Sequence, residues 1–177
     1  MTIDYMDDIL IESCDSPIEN IVNFLQISDR LATAGQPKIE QYPAIAAAGY
    51  QFVINLALTD SPNALVDEGS IASNLGIEYI QIPVIWGAPT LTDFQEFTSV
   101  MDAHSNQKIF VHCAANKRVS AFIYLYRVCG GIDQTTATID LAKIWTPDLI
   151  WQNFIDRTLS SMRDDCGKIE GESSANT

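Results

Sequence analysis

Apolar residues recur along this chain in two alternating rhythms. Dense runs rich in β-branched and aromatic residues at 51–56, 78–84 and 108–112 read as strands buried on both faces. Two shorter runs, 24–27 and 31–33, read as strands around Ser28-Asp29-Arg30, ended by Gly35-Gln36-Pro37. Helical periodicity fills the intervals. Ser16-Pro17-Ile18-Glu19 has the form of a capping box opening a short helix to about Val22. Residues 38–48 stop at Gly49, with Pro43 starting a new turn, and residues 65–75 stop at Gly76. Thr92-Asp93-Phe94-Gln95 caps a helix to about His104, and residues 118–129 close on Gly130-Gly131. Two more helices follow at 133–144 and 147–162, the second with Ile150, Trp151, Phe154 and Ile155 on one face.

Strands alternating with helices at this spacing predict one α/β domain, with a mostly parallel central sheet covered by helices on both faces. The expected organisation is an N-terminal helical segment over 1–23 and the α/β domain over 24–164. A disordered tail is expected over 165–177, where Gly, Ser, Glu, Asn and Thr dominate. Ligands of such sheets bind at the strand C-terminal ends, so the exits at Ala57, Ile85 and Cys113 are expected to converge.

Composition narrows the function. The 177 residues suffice for one sizeable core, and 47% hydrophobic with 19% charged residues is an ordinary globular balance. No run approaches the roughly 20 apolar residues of a membrane span, and the acidic N-terminus is unlike a signal peptide, so a cytoplasmic protein is expected. A net charge of −13 repels nucleic acid and anionic membrane surfaces, and excludes them as expected partners. Four cysteines without paired spacing and two histidines point to reduced thiols and to no metal site. No cofactor is expected.

The chemistry concentrates in one segment. Cys113 stands between the apolar strand 108–112 and the helix 118–129, where unpaired N–H groups and the helix dipole stabilise an anion, either a thiolate or a bound oxyanion. Arg118 adds a planar donor fork suited to phosphate or sulfate. Lys117 is read either as a second anion contact at the rim or as a solvated lysine. Asn116 is among the few residues besides glycine that enter the left-handed region at small cost.

His112, Cys113, Arg118 and Ser120 resemble the signature loop of the tyrosine and dual-specificity cysteine phosphatases, His-Cys-five residues-Arg-Ser/Thr. Here four residues, Ala114, Ala115, Asn116 and Lys117, separate Cys113 from Arg118. Aligned from its other end, the pattern puts Val119 at the arginine. The Cys-four-Arg spacing also resembles the loop of rhodanese-type sulfurtransferases, which carry a persulfide. Residues 31–37, 47–56, 82–84 and the Cys113 loop together resemble the bacterial phosphatase-like family related to the fused domain of beta-lactamase-hydrolase-like proteins, a family that tolerates the short loop.

That resemblance implies a phosphatase-like fold and a set of roles. Cys113 is the nucleophile, Arg118 holds phosphoryl oxygens, and Ser120 donates to the departing thiolate. His112, Ala114, Ala115, Asn116 and Lys117 bind the phosphate or orient the loop. The family's general acid is an aspartate after the third strand, where this chain has Ile85 or Trp86. Asp93 and Asp60 are the remaining candidates, and Trp86 is expected to line the pocket. The function implied is hydrolysis of phosphotyrosine or small aryl phosphoesters through a phosphocysteine, with a phosphorylated small molecule or phosphoprotein as partner. Two alternatives stay open: sulfur transfer through a Cys113 persulfide, and phosphate binding without catalysis.

Overall fold

A computed structural model describes residues 17–171, with side chains through Met162. The described residues open on a 3-10 turn at Ile18–Asn20, capped by Pro17 without a side-chain bond. The expected helix to Val22 is therefore shorter; Ser16 and most of the expected 1–23 segment lie outside the described residues. β1 (Leu25–Ser28) and β2 (Leu31–Ala34) form an antiparallel pair. A second 3-10 turn, Ile39–Gln41, leads into α1 (Tyr42–Ala47), with Pro43 in the first turn where its missing N–H costs no bond. β3 (Phe52–Asn55), α2 (Glu68–Ser73) and β4 (Glu78–Gln81) follow. Helix α2 begins later than the pattern suggested because Asp67 is left-handed, at φ 55°.

Helix α3 (Leu91–Ala103) is capped by Thr90, two positions before Thr92, through a reciprocal box with Asp93. β5 (Ile109–His112) leads into α4 (Lys117–Cys129), then α5 (Gln134–Ile144) and α6 (Leu149–Gly171). α6 continues past Met162 through the first part of the segment expected to be a disordered tail. No described helix is long and apolar enough to cross a membrane.

The five strands lie in the order β1-β2-β5-β3-β4, parallel from β2 onward. Their register sets Ala34, His112, Asn55 and Gln81 in one row at the C-terminal edge. Strand alternation then divides the core. Phe52, Ile54, Ile109 and Val111 face α3, α4, α5 and α6, where Phe94, Phe97, Phe122, Trp151 and Phe154 are buried together. Val53 and Phe110 face α1 and α2, against Tyr42, Ile45 and Ala72. Burying one such large apolar side chain contributes about 1.5–3 kcal/mol. His112 and Asn55, one residue beyond Val111 and Ile54, point to the α1–α2 side.

Candidate active site

The β5–α4 connection is held from the β2 side. Leaving His112, the chain passes the N–H of Cys113 to the Ala34 carbonyl at 3.4 Å and turns through Ala114 and Ala115 to Asn116. Asn116 caps α4 from the left-handed region, at φ 63°. Its amide donates to the Asn23 carbonyl at 2.7 Å and to Thr33 Oγ1 at 2.9 Å. Asn23 in turn donates to the Ala115 carbonyl at 3.0 Å, and the N–H of Gln36 donates to the Ala114 carbonyl at 3.2 Å. Gly35 makes this approach feasible, because a Cβ there would come within 3.0 Å of both the Ala114 and Val22 carbonyl oxygens.

The loop carbonyls are thus drawn outward. In a trans peptide the N–H points opposite to the C=O, so pairing of the Ala114 carbonyl turns the Ala115 N–H to the other side. None of the hydrogen bonds among the described residues uses the N–H groups of Ala114, Ala115, Lys117, Arg118 or Val119. These free donors, at the positive end of a 13-residue helix, form a cradle of the kind that suits an anion. Cys113 lies beside them with 1% of its surface exposed.

Arg118 is 8% exposed, and its guanidinium carbon lies 5.8 Å from the centre of the Trp86 ring. Its Nε is buried without a hydrogen-bond partner. Val119, the residue at the arginine position in the other alignment, is fully buried in the core. Trp86, on the loop leaving β4, packs 5.3 Å from Trp145 and 5.2 Å from Trp151, and the Trp151 indole donates to the Trp86 carbonyl at 3.1 Å. Lys117 is exposed, with its ammonium 5.4 Å above the Trp145 ring. A wall of three indoles therefore carries two cations beside the cradle.

Several expected roles change in the structure. Ser120 donates its proton to the Lys117 carbonyl at 3.0 Å and accepts from the Trp145 indole at 3.1 Å. Its single donor is engaged within the helix turn, so the structure gives it a bracing role instead of a bond to the thiolate. Asn116 is fully buried with its amide directed at β2, and so shapes the loop without facing a ligand. His112 is also fully buried. Asp93 accepts from the Thr90 N–H at 2.9 Å, occupied as a helix cap. Asp60 is exposed on the loop after β3 and takes part in none of the hydrogen bonds among the described residues. Neither carboxylate is brought into contact with Cys113 or Arg118.

Sequence reasoning missed the carboxylate behind the loop. Glu68 of α2 is buried and accepts from Gln36 Nε2 at 2.6 Å, Tyr42 Oη at 2.7 Å, Asn55 Nδ2 at 2.9 Å and Tyr79 Oη at 3.2 Å. His112 Nε2 stands 3.3 Å from Glu68 Oε1, aligned too poorly for a good hydrogen bond. Burial pushes the His112 imidazole below the ordinary histidine value; the Glu68 charge and a backbone contact at Cys113 oppose that shift. Burial and the Glu68 charge raise the Tyr42 and Tyr79 phenols, which stay protonated as donors. One signal was present in the sequence: Glu68 falls four residues before Ala72, on the buried face of its helix.

Known proteins share this fold. The crystal structure named "Putative phosphatase (DUF442)" from Shewanella putrefaciens is 30% identical, with a TM-score of 0.74, covering 82% of this chain and 96% of that one. PTPMT1 in complex with PI(5)P shares the fold at 13% identity, with a TM-score of 0.70 over 81% of this chain and 98% of that one. A beta-lactamase hydrolase-like protein of Agrobacterium fabrum is 31% identical over 131 residues, 71% of this chain and 30% of its own length. The chain thus spans under a third of the curated relatives it matches. Residues 19–157 match the family described as "DSP-PTPase phosphatase fused to NAD+ Kinase", and the chain belongs to that phosphatase family.

Proposed function

We propose that the protein is a cysteine-dependent phosphatase acting on aryl phosphoesters, phosphotyrosine or a small aryl phosphate among them. The observation that carries this reading is the arc of free N–H groups of Ala114, Ala115, Lys117, Arg118 and Val119 beside Cys113 and the Arg118 side chain. The Cys113 thiolate attacks phosphorus in line, the S–P bond forms as the P–O bond to the leaving phenol breaks, and water then hydrolyses the phosphocysteine. Arg118 and the loop N–H groups bear the charge of the equatorial oxygens in both steps.

The leaving group decides the substrate class. Asp93 is bound to its own helix cap, and Asp60 stands exposed on a neighbouring loop. A missing acid costs about 10²- to 10⁴-fold, and the loss is least for phenols, which leave without full protonation. The partly exposed rings of Trp86 and Trp145 offer a flat aromatic ring a matching surface.

Hydrolysis of an aryl and an alkyl phosphate, measured side by side between about pH 5 and 8, tests the reading. Turnover of the aryl ester is expected to vanish in Cys113→Ser and to fall about 10²- to 10³-fold in Arg118→Ala. Asp60→Asn, at a carboxylate outside the site, is expected to leave both rates close to wild type. Aryl hydrolysis undiminished by Cys113→Ser would overturn the nucleophile assignment.

A further inference from the structure

The loop that carries Cys113 is steadied from behind by two arms that meet in one carboxylate. The first runs from Glu68 to His112 Nε2 at 3.3 Å, an electrostatic pairing and not a well-aligned hydrogen bond, and along the chain to Cys113, the next residue. The second runs from Glu68 to the Gln36 side chain at 2.6 Å, and the N–H of the same Gln36 holds the Ala114 carbonyl at 3.2 Å. That second bond keeps the Ala114 carbonyl out of the cradle and the Ala115 N–H in it. Asn55 ties the same carboxylate to the exit of β3 at 2.9 Å. Glu68 therefore bonds or touches residues at the exits of β2, β3 and β5, the strands that flank and feed the loop.

We infer that Glu68 is the positioning residue of the phosphate loop, acting through His112 and Gln36 on the orientation of Cys113 and of the loop N–H groups. This inference rests on the phosphatase reading for its consequence in turnover, but not for its structural content. A buried carboxylate is a costly way to fill space, and four converging donors hold it only in one arrangement. Directional bonding of this kind fixes where a backbone stands to a few tenths of an ångström, the tolerance that phosphoryl transfer requires. The titratable groups that face Glu68 and His112 are Tyr42 from α1, Tyr79 from β4 and Cys113 at the end of β5; no lysine or arginine pairs with the carboxylate among the described residues. Its charge is met by neutral donors alone, so its removal is felt by His112 directly.

The test uses the full chain, wild type against Glu68→Gln, and reads three quantities. Nitrogen NMR of the ring of His112, one of only two histidines, follows its titration. In Glu68→Gln the pH at which His112 protonates is expected to drop further, since the charge that opposes burial is gone. Carboxymethylation of Cys113 by iodoacetate is expected to show an altered pH dependence at unchanged stoichiometry. Aryl phosphate turnover is expected to lose roughly 10- to 100-fold in kcat with KM nearly constant, the size usual for a partner one step removed from the reacting group. Glu68→Asp keeps the charge but withdraws it by one methylene; it should restore the His112 titration and only part of kcat. It also serves should Glu68→Gln not fold.

A purely structural Glu68 would lower the alkylatable fraction while leaving the rate per alkylatable site as in wild type, whatever the shift at His112, and that outcome overturns the inference. Wild-type protein without turnover, but with the His112 and alkylation shifts intact, would sink the phosphatase reading and leave the positioning role standing.

Discussion

The two faces of the sheet are built on opposite terms. Against α3, α4, α5 and α6 the core is apolar and aromatic, with Phe122 touching Phe97, Trp151 and Phe154, and Trp151 touching Phe154. Against α1 and α2 an apolar frame encloses Glu68, Asn55, Gln36 and His112. Burial of apolar area is non-directional and stabilises the fold without choosing an orientation. A buried carboxylate with converging donors selects one, because any misaligned donor is left unpaired in a low dielectric. Cys113 stands where β5 ends between the two, held by one face and aimed by the other.

Truncating the aromatic face should give the largest change in stability. Phe97→Ala is expected to cost about 3–5 kcal/mol in urea unfolding, with kcat/KM per folded molecule close to wild type. Activity lost in step with stability would show that the division between holding and aiming is wrong. Gly35→Ala probes the junction: its Cβ meets the Ala114 and Val22 oxygens at 3.0 Å, so a cost of about 1–3 kcal/mol is expected. Here turnover should fall further than stability implies, because the displaced carbonyl belongs to the cradle; equal aryl phosphate activity at saturating folded protein would argue against a strained loop.

Acid should separate the faces as well. His112 titrates below the ordinary value in the folded state, so the unfolded chain binds the extra proton first. Its contribution is complete above the unfolded value of about 6.5 and is lost as pH falls from there through the folded value. Melting temperatures of wild type and His112→Gln, compared from pH 8 to 5, should converge toward acid; parallel curves would remove His112 as the source. The smallest effect belongs to Asp140, where burial raises the carboxyl but bonds from Lys143 and Arg127 and their charges outweigh it and lower the value. That pairing is present above the ordinary carboxylate range and disappears as pH falls through the lowered value. Asp140→Asn is expected to cost about 0.2–1 kcal/mol near neutral pH, measured in the same urea titration, and nothing once the pH has fallen below the lowered value.

Much of the frame was legible from the chain. All five strands lie where apolar runs announced them; the signal is cleanest for β3 and β5, buried on both faces, while β1 and β4, at the sheet edges, are only partly buried and carry polar positions. The helix starts were read less well: Thr90 in place of Thr92 and Glu68 in place of Leu65 reflect local φ/ψ choices, at Asp67 above all, that periodicity does not report. The Cys113 loop was read from its spacing, yet the roles of Ser120 and Asn116 turned on which of several partners each side chain took. Ser120 gives its proton to the Lys117 carbonyl within the helix turn and accepts from Trp145, 25 positions away, and Asn116 donates to Thr33, 83 positions away.

By itself the sequence determined a parallel α/β sheet, a thiol at the mouth of a helix, an arginine within one turn of it, and the absence of an aspartate on the β4 exit. Those are consequences of short-range periodicity and of which residue types are present. Only the tertiary structure decided that Arg118 rests on Trp86 while Val119 enters the core, and that a glutamate from α2 meets His112 and Gln36 behind the loop. Gln36 and Glu68 are 32 positions apart. Nothing local joins them: their contact exists because the parallel register sets the ends of β2, β5 and β3 in one row and lays α2 across it.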